Sequence, residues 1–202
     1  MTFNWQDIST IKVAKPYAML TPLPPTGGCM QHTIRGIDHI GITVPDIEDA
    51  TRFLTQALGA ELIYQSVAPD EKGPDNAAQQ KTLRLVPGTV IKSVRMLKLQ
   101  HGPGIELFEM HGPEQREPPR ASDFGLQHFA VYSDDIDAAL QRFKAAGGEV
   151  FTAPQPLGFP TEKGEGNQFC YGRTPWGSIV EFIAYPSAMP YEQETTLRRW
   201  RP

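Results

Sequence analysis

The chain has few cysteines: Cys29 and Cys170 are the only two among 202 residues. That excludes a disulfide scaffold as the source of stability. No apolar run approaches the roughly 18 residues a membrane-spanning helix needs. There is no basic excess either: 19 Lys and Arg stand against 23 Asp and Glu, for a formal charge of −4 and a pI near 5.7. Nucleic acid and anionic membrane surfaces are therefore not expected as partners. Met1 to Lys15 lacks the basic-then-apolar pattern of a signal peptide. Together these absences favour a reducing, cytoplasmic setting. The length suits one large domain or two small ones with a shared core.

The chain contains an internal repeat. Asp38-His39-Ile40-Gly41-Ile42-Thr43-Val44-Pro45-Asp46-Ile47 resembles Gln127-His128-Phe129-Ala130-Val131-Tyr132-Ser133-Asp134-Asp135-Ile136, with His, Asp and Ile recurring in register. A repeat of this kind fixes the architecture before any local reading. Each segment leads into a helical pattern, from Asp46 to about Leu58 and from Asp135 to about Ala146. Asp suits the N-cap because its carboxylate accepts from free helix N–H groups. Gly59 and Gly147 suit the C-terminal turn. Alternating runs then read as strands: Glu61–Ser66, Lys81–Val86, Val90–Leu99 and Gly104–Met110, and later Glu149–Ala153, Gln168–Tyr171 and Ser178–Tyr185. The expected organisation is an extension over 1–34, a first module over 35–111, a connector over 112–123, a second module over 124–185 and a tail over 186–202. Arg198, Arg199 and Arg201 read as part of a solvated or partner-docked tail, and Pro69 to Gln80 as a solvated loop.

Side chains alternate across a strand. In the first repeat Ile40, Ile42 and Val44 share the face that suits the helix, leaving His39 on the other beside Gly41 and Thr43. In the second, Phe129 and Val131 face the helix and His128 does not. The last strand of each half carries a carboxylate on the same open face: Glu106 beside Phe108, and Glu181 between Ile179 and Ile183. Glu109 should point away from Glu106, toward solvent. A lone strand histidine is more often a hydrogen-bonded core or surface residue, and a lone strand glutamate is usually solvated. A His and a Glu at matching places in both repeats, with Glu181 costly in an apolar strand unless compensated, instead suggest one divalent metal held by His39, Glu106, His128 and Glu181. His32, His101 and His111 fall in loops or at strand ends.

At these residues the sequence resembles the vicinal oxygen chelate superfamily, which includes glyoxalase I, methylmalonyl-CoA epimerase and extradiol dioxygenases. Ile37 to Val44, Leu126 to Val131 and Thr174 to Glu181 carry the resemblance, which covers roughly Ile34 to Tyr185. It implies an α+β fold of two tandem βαβββ modules whose curled mixed sheets surround a metal site. In glyoxalase I and its close relatives the ligands are the His and Glu of both modules, the pattern seen here. The metal would be Zn, Ni, Co, Mn or Fe, the partner a small-molecule carbonyl or thioester substrate, and the assembly a homodimer, with the site formed in one chain or across two.

The resemblance points first to a lyase or isomerase that removes a proton next to a carbonyl, with Glu181 the first choice of base and Glu106 the second. An extradiol dioxygenase would use His39, His128 and Glu181 on Fe(II). Tyr171 to Gly177 fits the later part of that signature. Its earlier histidine is missing from Thr161 to Asn167, and Glu106 would be a surplus carboxylate. A non-catalytic, resistance-type binding protein would not need the full ligand set. Phe108, Tyr132, Ile179 and Ile183 are the candidate pocket liners.

Overall fold

The computed structural model describes residues 33–68 and 76–202. Met1–Gly36 form one unit, of which only 33–36 are described, and these have no regular structure. His32, the Pro/Gly-rich Thr21 to Gly28 and most of the Pro69 to Gln80 loop lie outside the described residues. Ile37–Pro202 form the second unit and contain both repeats.

The first half runs β1 (His39–Val44), α1 (Ile47–Leu58), β2 (Glu61–Val67), α2 (Asn76–Leu83), β3 (Val90–Lys98) and β4 (Gly104–His111). The second runs β5 (Phe129–Tyr132), α3 (Ile136–Ala145), β6 (Glu149–Val150), β7 (Gln155–Pro156), β8 (Gln168–Arg173) and β9 (Ile179–Ala184). The sheets are ordered β1-β4-β3-β2 and β5-β9-β8-β6, with β7 also paired to β8. In each half the first strand is at the sheet edge, parallel to the last strand, and the remaining pairs are antiparallel. This is the expected α+β architecture of two βαβββ-like modules in mixed sheets.

Local chemistry sets the helix limits. Asp46 accepts from the Asp49 N–H at 2.8 Å, and Asp135 from the Ala138 N–H at 2.9 Å. Gly59, at φ 72°, ends α1 in the left-handed conformation that glycine adopts without cost. Ile47, Ala50, Phe53, Leu54 and Ala57 are the buried stripe of α1, and Ile136, Ala139, Leu140 and Phe143 that of α3. These stripes meet Ile42, Val44, Ile105, Leu107, Val180 and Phe182 in one core spanning both halves. Phe143 is at its centre, edge-on to Phe53 at 5.3 Å and to Phe182 at 5.0 Å. A Cβ on Gly148 or Gly172 would come within 2.3 or 2.7 Å of that ring, so both positions need glycine.

The structure departs from the sequence expectations in four places. Asn76–Gln80 is not loop and Lys81–Val86 is not a strand: α2 covers Asn76–Leu83, and the chain turns at Arg84, whose φ is 52°. The strand expected over Glu149–Ala153 stops at Val150, and a short β7 follows. Glu109 is not solvent-facing. It points away from Glu106 as expected, but it accepts from the Ile47 N–H at 3.0 Å at the start of α1 and pairs with His111 at 3.0 Å. The tail folds back on the second half. Arg201 donates to the Tyr132 hydroxyl at 2.8 Å, the Tyr185 hydroxyl donates to the Trp200 carbonyl at 3.0 Å, and Arg199 pairs with Glu162 at 3.1 Å.

Arg95 is a buried cation on the helix side of β3. It donates to Gln65 at 2.9 Å, to Thr51 at 3.0 Å and bidentately to Glu48 of α1. The hydrogen bonds from this guanidinium hold the Glu48 carboxyl below its ordinary range. A carboxyl lowered in the folded state stabilises above its unfolded pKa, about 4.3, and loses that contribution as pH falls through the folded value. Glu48 is largely exposed, so its loss should be modest. Glu48→Gln is expected to cost about 1 kcal/mol at pH 7 by urea denaturation. The gap from the parent protein should close at pH values acidic enough to protonate Glu48.

Candidate metal centre

Each half builds the same diagonal contact. Glu106 is the β4 residue opposite Gly41, and Glu181 the β9 residue opposite Ala130. In both halves the histidine is two residues before that partner, so it sits on the same face and leans along the strands toward the glutamate. His39 Nε2 is 3.2 Å from Glu106 Oε2, and His128 Nε2 is 2.9 Å from Glu181 Oε2. Gly41 and Ala130 are small, which leaves the space above them open.

The residue before each histidine fixes its ring. His39 Nδ1–H donates to the Asp38 carboxylate at 2.8 Å, and His128 Nδ1–H to the Gln127 amide oxygen at 2.9 Å. With the proton assigned to Nδ1 by these partners, the neutral ring turns an Nε2 lone pair toward a carboxylate oxygen. Two acceptors at that distance need a cation between them. A proton on Nε2 or a divalent metal ion would satisfy that need. Ligand atoms each about 2.0–2.2 Å from one ion lie roughly 3 Å apart, the separation found in both pairs. Imidazole nitrogen and carboxylate oxygen suit first-row divalent ions, and a side chain holding the far ring nitrogen is the usual support for a metal-bound histidine. By donor chemistry each pair fits half a metal site. Among the described residues, no group of three or more His, Cys, Asp or Glu side chains is placed to hold one metal ion, so the structure brings His39 to Glu106 and His128 to Glu181 but does not bring the two pairs together.

Tyr171 is opposite Glu181 in the sheet, and its ring meets the His128 ring edge-on at 5.1 Å. Burial, with Glu181 and Glu162 nearby, pushes its phenol pKa up. Ile179 lines a cleft of about 780 Å³ beside β1, together with His128, Gln127, Thr43 and Trp176. Phe108 packs against Val67, Ile91, Val94 and Met110, while Tyr132 and Ile183 pack with Leu157 and Met189. Asp38, Gln127 and Tyr171 were not identified as site residues from the sequence. The first two carried a signal, a polar residue immediately before each repeated histidine. Tyr171 entered only as part of the ring-cleaving signature.

The model of the glyoxalase/bleomycin resistance protein/dioxygenase superfamily matches residues 36–182. The chain belongs to this family, the vicinal oxygen chelate superfamily. It is 36% identical over 168 residues to a 2-epi-5-epi-valiolone epimerase from Actinomyces sp., covering 82% of this chain and 88% of that protein. It is 24% identical to the lactoylglutathione lyase of Arabidopsis thaliana over 77% of this chain, and spans 46% of that protein. A glyoxalase family protein from Bacillus cereus superposes with TM-score 0.57 at 17% identity, covering 78% of this chain and 98% of that one. A domain from Frankia sp. EAN1pec, described as glyoxylase/bleomycin resistance protein/dioxygenase, does so with TM-score 0.53 at 19% identity, covering 76% and 99%. These structural likenesses establish the shared fold.

The His39–Asp38 hydrogen bond, assisted by the charge of Glu106, raises the His39 pKa above the ordinary 6.5 despite opposing desolvation. In metal-free protein, Asp38→Asn should bring it back down, as read from ring-proton NMR shifts against pH. An unchanged His39 titration would show that Asp38 does not hold the ring.

Proposed function

We propose that the protein is a divalent-metal-dependent epimerase acting next to the carbonyl of a hydroxyketone, with His39, Glu106, His128 and Glu181 holding one ion. The observation that carries this reading is the duplicated His–Glu contact, in which anchored imidazole lone pairs face carboxylates across the same register in both halves. The likeness to a 2-epi-5-epi-valiolone epimerase supports epimerisation of a ketone over a thioester. When bound, the ion supplies electrophilic stabilisation of the charge that develops on the carbonyl oxygen.

Glu181 is the base that takes the proton from the carbon next to the carbonyl. It is the less exposed of the two glutamates, at 13% against 24% for Glu106. Epimerisation requires the proton to return to the opposite face of that carbon. Glu106, brought by the other half, is the matching acid. The equivalence of the two pairs weighs against the ring-cleaving reading, which has no use for Glu106. The four donors come either from both halves of one chain or from two copies in a homodimer.

Elemental analysis should find about one divalent ion per pair of His–Glu contacts. Less than a tenth of that, with no activation by added Zn, Ni, Co, Mn or Fe, would sink the reading. Glu181→Gln should lower solvent-deuterium uptake into the ketone by at least about 10²-fold while leaving the thermal unfolding midpoint near that of the parent. Mixing a His39→Ala/Glu106→Gln protein with a His128→Ala/Glu181→Gln protein tests where the site forms. Recovered activity in the mixture means that two copies share it, and none means that one chain supplies all four donors.

A further inference from the structure

The residue facing each glutamate from the adjoining antiparallel strand differs between the halves. Met96 on β3 is opposite Glu106, and Tyr171 on β8 is opposite Glu181. Both lie on the open face, since their neighbours Leu97, Cys170 and Gly172 face the core. Met96 is buried, and its sulfur lies across Gly104, where a Cβ would come within 2.8 Å of it and 3.5 Å of the His39 Cβ. A thioether donates no hydrogen bond. In the second half the same place holds a phenol.

The Tyr171 ring is held and its hydroxyl is not. The ring meets His128 edge-on at 5.1 Å and Phe169 at 5.7 Å. The other tyrosines of this half commit their hydroxyls to the tail: Tyr132 accepts from Arg201, Tyr185 donates to the Trp200 carbonyl and Tyr191 accepts from the Arg199 N–H. Among the described residues no group hydrogen-bonds to the Tyr171 hydroxyl, and no polar side-chain atom is buried without a partner, so this hydroxyl is accessible on the open face. Residues directly opposite in a ladder have Cβ atoms about 5 Å apart, which puts the phenol beside Glu181 as well as the His128 ring. A phenol keeps its proton at neutral pH and is a hydrogen-bond donor there.

We infer that Tyr171 is a substrate-binding residue whose hydroxyl donates to the hydroxyl oxygen next to the substrate carbonyl. This rests on the proposed proton transfer at Glu181 and adds the contact that orients the substrate for it. With the carbonyl oxygen stabilised by the ion, the phenol is left for the neighbouring oxygen. Holding that oxygen from the position across from Glu181 turns the hydrogen on its carbon toward the carboxylate. Met96 offers no such contact in the first half, so the substrate hydroxyl is held on the second half, the side of the proposed base.

Deuterium exchange in D2O, followed by NMR, tests this on the full chain loaded with its preferred divalent ion. Acetoin and butanone, its analogue without the hydroxyl, are compared at the carbon that bears the hydroxyl in acetoin. Tyr171→Phe keeps the ring. It should lower kcat/KM for acetoin at least about 10-fold and for butanone less than about 2-fold, with metal content and thermal midpoint near those of the parent. Tyr171→Met copies the first half and, as the second variant, should show the same pattern. With isotope-labelled tyrosine rings, acetoin should shift the Tyr171 signal saturably and butanone should not. Equal losses for the two ketones, a Tyr171 signal indifferent to acetoin, or no loss for acetoin in a reaction that Glu181→Gln abolishes would overturn the role of Tyr171 and leave the proton-transfer reading standing. Exchange of neither compound by the parent protein would overturn both.

Discussion

An imidazole whose Nδ1–H is already committed presents only a lone pair at Nε2, and in this protein that lone pair points at a carboxylate oxygen in both halves. Without a cation the contact is repulsive. The contact arises from the topology. Because the first strand of each half pairs in parallel with the last, a histidine at its start and a glutamate near the start of the last strand are brought side by side with no strand between them. An antiparallel partner in the same place would carry the glutamate away from the histidine as the strands ran on. The function proposed for the protein depends on that pairing, and the pairing depends on α1 and α3 serving as the crossovers that parallel strands require.

The halves share one interior but keep their polar pairs apart. Phe53, Phe143, Phe182 and the apolar stripes of α1 and α3 form a single core, and Phe143 approaches closely enough to require glycine at 148 and 172. Alternation along the strands puts that core on one face and the His–Glu pairs on the other. The core and the candidate site thus lie on opposite faces of the same strands. A substitution at Ile105 or Leu107 bears on the core, and one at Glu106, between them, bears on the candidate site.

How much was legible in the sequence follows from how local each signal is. Asp46 and Asp135 were readable as caps because the groups they satisfy are three residues away. The faces of β1, β4, β5 and β9 were readable because period-two alternation marks a half-buried strand. Lys81–Val86 misled because Leu83, Leu85 and Val86 suggest a strand, whereas α2 buries none of its described side chains and so imposes no helical periodicity on the sequence. The contacts of Glu109 with Ile47, and of Arg199 and Arg201 with Glu162, Tyr132 and Tyr185, could not be read, because these partners are distant in sequence and are brought close only by folding.

The two pairs are equivalent in register but not in support. Asp38 backs His39 with a carboxylate, whereas Gln127 backs His128 with a neutral amide. A carboxylate behind an imidazole raises its basicity and strengthens it as a ligand, and an amide does so less. The first pair is therefore suited to anchoring a cation and the second to holding it more loosely. A glutamate that must leave a cation to take a proton belongs on the looser side. That consideration is independent of the apolar setting of Glu181 between Ile179 and Ile183, and both lead to Glu181 as the base. In this reading the two half-sites share one plan, and the residue before each histidine is a difference that separates their roles.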